Sequence, residues 1–359
     1  MAAISESSDN TGSNEKIYHA RPPIDRDITV VAGGDVHWSD GSVHDGIFPG
    51  PEGGTHMRIP LLRKWIWAPW DPYWPAMPRV VSAIESAPNQ DTNFSPPGWK
   101  YYLESTKRHG LQFKSEEEAA RHPFARIRET FRSADVAFAN LETPISSRGR
   151  RQRYMFRSAP AFAEALSWAG IDVVSTANNH AMDAGEEGLS DTLMYLQHAG
   201  VEAAGSGSNL AEARRPVILD RAGVRLGFLA YTSFENSGPS GFALSQRSGV
   251  APFDIRLVTE DIHKIRGSVD WVLVSIHWPV ENSQSVHSQA RALAHAVVDA
   301  GADIVLGHHP HVPSGIEVHH GKPIFYSFGN LTFGYPDHRH IWKDNFLARI
   351  IFHVHVSRK

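Results

Sequence analysis

The stretch Gly301-Ala302-Asp303-Ile304-Val305-Leu306-Gly307-His308-His309-Pro310-His311 decides how this chain is read. Its apolar half reads as a short buried strand that runs into Gly307. Beyond the glycine come three imidazoles within four positions. Imidazoles gathered at the carboxyl end of a strand are costly as packing, and they usually stay neutral to bind a metal or move a proton. The bland alternative is a His-rich surface loop, and it weakens as the other strands are read.

Working outward, residues 28–32 are a β-branched run halted by Gly33-Gly34 and followed by Asp35-Val36-His37-Trp38. A carboxylate and an imidazole two apart in extended chain face one side. Residues 136–139 predict a strand that ends in Asn140-Leu141-Glu142-Thr143-Pro144. The run 171–177 leads into Asn178-Asn179-His180, and 271–276 leads into His277-Trp278-Pro279-Val280-Glu281. Helices are expected over roughly 116–132, 160–169, 185–199, 256–265 and 286–300. Residues 216–219 and 224–231 read as a hairpin, and 315–318, 323–327 and 346–356 read as strands of a second sheet.

At 359 residues the chain can bury a large core. Its 41% hydrophobic and 21% charged content is ordinary for a globular protein. A net charge of −4 gives no global reason to expect nucleic acid or an acidic membrane as partner. Without cysteine there is no disulfide framework, no thiolate nucleophile and no Cys-ligated zinc. Metal chemistry would have to use His, Asp, Glu and Asn. No apolar run is long enough to span a bilayer, and the N-terminus lacks a signal-peptide core, so a cytoplasmic chain is expected.

Residues 1–26 read as a disordered or surface tail, and 27–359 as one catalytic domain. That domain is interrupted at about 39–115 by a Gly/Pro-rich insertion holding six of the ten tryptophans when Trp38 is counted with it. Long insertions of this kind are commonly lids or binding loops. Trp38, Trp67, Trp70 and Trp74 are therefore expected to line a substrate wall suited to an apolar or aromatic side chain. A satellite cluster packing the insertion onto the main body is the competing reading. Arg151 and Arg153, in the basic run 148–153, are candidates to dock a carboxylate or an acidic peptide segment, against the simpler reading of a solvated loop.

Five strand ends thus carry Asp35/His37, Glu142, Asn179/His180, His277 and His309/His311. In open α/β sheets such ends form the ligand crevice. A mixed His/Asp/Asn/Glu set suits Zn, Mn or Fe better than all-oxygen Ca or Mg sites. With more than four donors, two ions roughly 3.5–4 Å apart become an option. No organic cofactor is indicated.

The order Gly34-Asp35, Asn140-Leu141-Glu142, Asn178-Asn179-His180, His277-Trp278, Gly307-His308-His309-Pro310-His311 and Ser327-Phe328-Gly329-Asn330 resembles the CapA family. That family is named for capsular poly-γ-glutamate synthesis. The resemblance implies a four-layer αββα sandwich of the calcineurin-like, metallo-dependent phosphatase type. It further implies Asp35, His37 and His311 at one metal, Asn179, His277 and His309 at a second, and Glu142 as bridging carboxylate. His180 would act as acid or base, and Asn178 would border the substrate. Pro279 departs from the family's His-Trp-Gly pattern and puts the second metal position in doubt.

CapA-like proteins include epimerases of lasso-peptide C-termini, so the resemblance implies an enzyme tailoring a ribosomal peptide, with a leader peptide or leader-binding protein as a further partner. Epimerisation at a C-terminal Cα needs a base, an acid and positive charge near the carboxylate. His180, His309, Asp35 and His37 are the candidates. The competing reading is a metal-dependent hydrolase or transferase acting on a peptide or γ-glutamyl amide, or on a phosphoester. A binding module that keeps the fold without metals is a third reading, disfavoured because unpaired buried imidazoles and carboxylates cost stability.

Overall fold

The apolar runs fold as strands because both of their faces find cover. The computed structural model describes residues 27–37, 112–148, 156–233, 240–333 and 345–353. The expected N-terminal tail, nearly all of the insertion, and Trp38, Trp67, Trp70, Trp74, Arg151 and Arg153 lie outside the described residues. For His37 only the backbone is described.

The strands in chain order are β1 (Ile28–His37), β2 (Val136–Leu141), β3 (Val173–Ser175), β4 (Glu202–Ala204), β5 (Ser206–Gly207), β6 (Val217–Arg221) and β7 (Val224–Thr232). They continue as β8 (Gly249–Val250), β9 (Trp271–His277), β10 (Ile304–His308), β11 (Ile316–His319), β12 (Lys322–Phe325), β13 (Asn330–Phe333) and β14 (Ala348–Phe352). The helices are α1 (Glu116–Arg121), α2 (Arg128–Arg132), α3 (Ala161–Ala169), α4 (Gly185–Ala199), α5 (Leu210–Ala213), α6 (Ile255–Arg266) and α7 (Ser288–Asp299).

One sheet runs β13-β1-β2-β3-β4, with β14 also on β1, and the other runs β11-β12-β10-β9-β7-β6. Between them lies an apolar layer that includes Val30, Phe138 and Val173 from the first sheet and Phe228, Leu273 and Leu306 from the second. Phe138 and Phe228 stack with centroids 5.8 Å apart. On the outer face of the first sheet, side chains of α1 to α4 such as Phe131, Phe162, Leu166 and Leu196 form a second core. On the outer face of the other, Val258, Ile262, Ala294 and Val297 of α6 and α7 form a third. The layering is αββα, the calcineurin-like arrangement expected from sequence.

Three local expectations change. The helix expected over 116–132 is broken into α1, a 3-10 turn at His122–Phe124 and α2. Pro123 lacks the N–H that would continue the α-helical ladder. The strand expected over 171–177 shortens to β3, and Asn178 onward enters turns. Of the three late strands, β11 and β12 join the β10 sheet, whereas β14 pairs antiparallel with β1 in the other.

The pair Gly33-Gly34 marks the place where β1 changes neighbours. Before it, residues 28–32 pair with β14; after it, Asp35 to His37 pair with β13. A Cβ on Gly34 would land on the carbonyl oxygen of Gly329. The Asp35 N–H donates to that same oxygen at 3.1 Å. Only glycine lets the two backbones approach this closely.

Candidate metal centre

β1, β2 and β3 from one sheet and β9 and β10 from the other end at a common point. β9 and β10 lie in parallel register with His277 opposite His308, so the imidazoles at the two strand ends enter the same region. His309 and His311 take positive φ values of 90° and 59°. Left-handed backbone is uncommon for non-glycine residues and clusters at functional sites. Here it bends the chain on both sides of Pro310 and brings both rings inward.

Glu142 is the centre of the group. It is fully buried, and among the described residues neither carboxylate oxygen has a hydrogen-bond partner. Its Oε1 lies 3.6 Å from His277 Nε2, 3.6 Å from His311 Nε2 and 3.8 Å from His309 Nδ1. These spacings are too long for hydrogen bonds. They approach the separation of atoms sharing one ion through bonds of about 2.0–2.2 Å. Glu142, His309 and His311 together could hold such an ion. A buried carboxylate with no donor and three imidazoles turned toward it fits a divalent cation by its chemistry.

Electrostatics agree. Burial pushes the Glu142 carboxyl well above the usual range, and Asp35, Glu281 and Asp183 push it further. Burial first, then neighbouring imidazoles, hold His277 and His309 well below the usual histidine value. Neutral imidazole is the form that donates a lone pair to a metal.

Around this centre the partners are specific. Asp35 Oδ1 accepts from Asn140 Nδ2 at 2.9 Å, and Oδ2 accepts from the His309 N–H at 3.3 Å. His311 Nδ1 lies 2.8 Å from Asn330 Oδ1 and 3.6 Å from Asp35 Oδ2. Asn179 Oδ1 is 2.6 Å from His277 Nε2. Asn178 has its amide engaged by the chain itself: Nδ2 donates to the Leu141 carbonyl at 2.7 Å, and Oδ1 accepts from the His180 N–H at 3.1 Å. It shapes the loop that carries His180.

His180 Nδ1 lies 2.6 Å from Asp183 Oδ2, and Phe156 stacks on the ring at 3.8 Å. The basic run begins with an engaged residue, because Arg148 is held by both carboxylate oxygens of Asp191.

With that geometry in view, residues 86–335 match the bacterial capsule synthesis protein family PGA_cap. The match spans well over half of the chain. The chain belongs to this family. The PGA biosynthesis protein CapA of Bacillus subtilis is 32% identical over 61% of this chain and 58% of its own length. The capsule biosynthesis protein CapA of Bacillus anthracis is 30% identical over 58% and 53%. A probable polyglutamine synthesis accessory protein of Mycobacterium tuberculosis is 33% identical over 56% and 57%. The chain thus spans little more than half the length of these relatives. Among solved structures, a Thermus thermophilus sulfate thiohydrolase SoxB is similar at 13% identity, covering 86% of this chain and 53% of that one, with a TM-score of 0.39.

Within this PGA_cap chain, four residues near the centre were not singled out as ligands or catalysts from sequence. Asn140 and Asn330 hold Asp35 and His311. Asp183 follows His180 by three positions, a spacing that one turn of chain can close. His308 lies with Nδ1 3.4 Å from Asp35 Oδ1, between Phe138 and Phe328, and neither ring nitrogen has a hydrogen-bond partner among the described residues. Strand alternation would have separated it from His309. No helix among the described residues is long and apolar enough to cross a membrane.

Proposed function

We propose that this chain inverts the Cα of the C-terminal residue of a peptide by acid–base chemistry beside a metal-type centre. The observation that carries the reading is an imidazole–carboxylate pair, His180–Asp183 at 2.6 Å, together with a second carboxylate, Glu281, whose Oε1 stands 3.9 Å from His309 Nε2 beside Glu142. Hydrolysis can manage with one such pair, whereas epimerisation requires a base on one face of Cα and an acid on the other.

A divalent cation, held by Asp35, Glu142, Asn179, His277, His309 and His311, with His37 as the remaining candidate, would supply positive charge at the substrate carboxylate. Zn, Mn and Fe suit such donors. His180, steadied by Asp183, takes the Cα proton or returns it. The C–H electron pair passes onto the carboxylate as an enediolate. A proton from the opposite side, relayed through Glu281, closes the step with no net change in atoms. Glu281 has a side chain 53% exposed and can exchange that proton with water. The buried site keeps solvent from the carbanion. The tryptophans of the insertion would accept an aromatic terminal residue, and Arg151 and Arg153 an acidic stretch of the peptide.

The relatives are named for synthesis of PGA, capsule or polyglutamine, and a second reading is attack of water on, or transfer at, a γ-glutamyl amide. One experiment separates the two. The metal-loaded protein is incubated in D₂O with peptides that have free aromatic C-termini, and with oligo-γ-glutamate. A gain of one deuteron at unchanged length, with inverted configuration, supports epimerisation. Shortened chains without deuterium at Cα would replace it with hydrolysis.

A further inference from the structure

At the C-terminal end of α7 a second group of metal-type donors stands apart from the buried centre. β11 ends at His319, and β12 begins at Lys322, its cross-strand partner. The two residues between them, His320 and Gly321, have φ values of 49° and 77°. Positive φ at both positions is the geometry of a type I′ hairpin turn. Successive residues of a strand point to opposite faces. The left-handed backbone at His320 cancels that alternation, and both imidazoles converge on one oxygen. His319 Nε2 lies 3.0 Å and His320 Nε2 3.6 Å from Asp299 Oδ1. Donors on a tetrahedral ion with bonds of about 2.0–2.2 Å stand roughly 3.3–3.6 Å apart.

Two further observations point to a cation. Asp299 is the last residue of α7, and the final turn of that helix has no basic side chain. Its carboxylate sits at the negative end of the helix dipole, which an added positive charge would relieve. The His319 ring is also held in place beforehand. His295 of α7 stacks on it at 3.8 Å and 4°, and His295 Nε2 is in turn anchored 2.7 Å from Glu317 Oε1. The other oxygen of Glu317 takes the Tyr326 hydroxyl at 3.0 Å, and Arg291 Nε lies 3.2 Å from it. Rings oriented by outer partners bind metals more tightly.

We propose that Asp299, His319 and His320 form a surface site for one divalent transition-metal ion of the zinc type, clipping the end of α7 to the β11–β12 hairpin. Imidazole and carboxylate donors suit such ions. The side chains of Asp299 and His320 are 55% and 73% exposed, so water completes the coordination.

The test is zinc titration of the chelator-stripped full-length protein against a chromophoric competitor. The background is E142Q, which weakens the buried centre without touching this one. E142Q is expected to retain a zinc equivalent that E142Q/H320N loses, or binds at least tenfold more weakly. Asparagine tolerates the left-handed turn, so the hairpin survives the change. D299N, made separately in the otherwise unaltered protein, is expected to lower total zinc by one equivalent. Equal zinc affinity and stoichiometry with and without His320 and Asp299 would overturn the proposal, whatever the buried centre does.

Discussion

Nδ1 of His180 lies 2.6 Å from Oδ2 of Asp183. The same oxygen accepts the Phe156 N–H at 2.5 Å, and the Phe156 ring lies against the imidazole. The ring is thus clamped by a carboxylate at one nitrogen and by an aromatic face, and Nε2 is the nitrogen that would meet a substrate. D183N keeps the shape but removes the charge that steadies an imidazolium. It is expected to slow Cα–H exchange about 10²- to 10⁴-fold while peptide affinity, read by calorimetry, stays unchanged. Exchange at the parental rate would remove this dyad from the chemistry.

Glu142 makes stability depend on pH in a definite direction. Its carboxyl is raised well above 4.5, chiefly by burial. In the metal-free protein the folded chain keeps a proton that the unfolded chain releases, so this residue costs more stability as pH rises from about 4.5 toward the raised value. E142Q has no such penalty. Its gain in unfolding free energy over the metal-free parent, from urea titration, is expected near zero at pH 4.5 and to grow toward neutrality, to roughly 1–3 kcal/mol. Added metal should then stabilise the parent by more than it stabilises E142Q, which keeps the surface donors but not the Glu142 carboxylate.

His277 and His309 work from the other side. Both are held well below 6.5, first by burial. Below about pH 6.5 the unfolded chain takes up protons at these positions that the folded chain refuses, so stability falls with falling pH. H309N suits the left-handed backbone and removes one of the two groups. Its metal-free stability should decline less steeply than the parent's between pH 6.5 and 5. Parallel slopes would contradict the assignment.

Asn330 touches no substrate in the reading above; it orients His311 through a 2.8 Å contact. Outer partners of this kind are worth about 10–100-fold in metal affinity. N330A is expected to weaken metal binding by that factor, measured by competition with a chelator, with little change in far-UV circular dichroism.

Gly34 has no room for a methyl group, because the carbonyl of Gly329 occupies that space. G34A should force β1 and the Gly329 segment apart and cost at least ~1–3 kcal/mol. Thermal unfolding would show it, and metal affinity should drop in step because Asp35 follows directly.

Much of this molecule was legible along the chain. The strand that runs into Gly307, the hairpin of β6 and β7, and the helices α3 and α4 with their closing glycines rest on hydrophobic period and turn chemistry, which neighbouring residues decide alone. Strand ends bearing Asp35, Glu142, Asn179, His277, His309 and His311 could be read as a metal-type set because their chemistry is written in residue type. Tertiary structure alone decided what pairs across distance. β14 crosses to the first sheet and lies on β1, and Asn330 reaches His311. Asn140 holds Asp35, and His319 and His320 close on Asp299. Each of these depends on register and on backbone φ at one or two residues, and neither is encoded by a local period: a chain can specify which side chains are available while only packing specifies which of them meet.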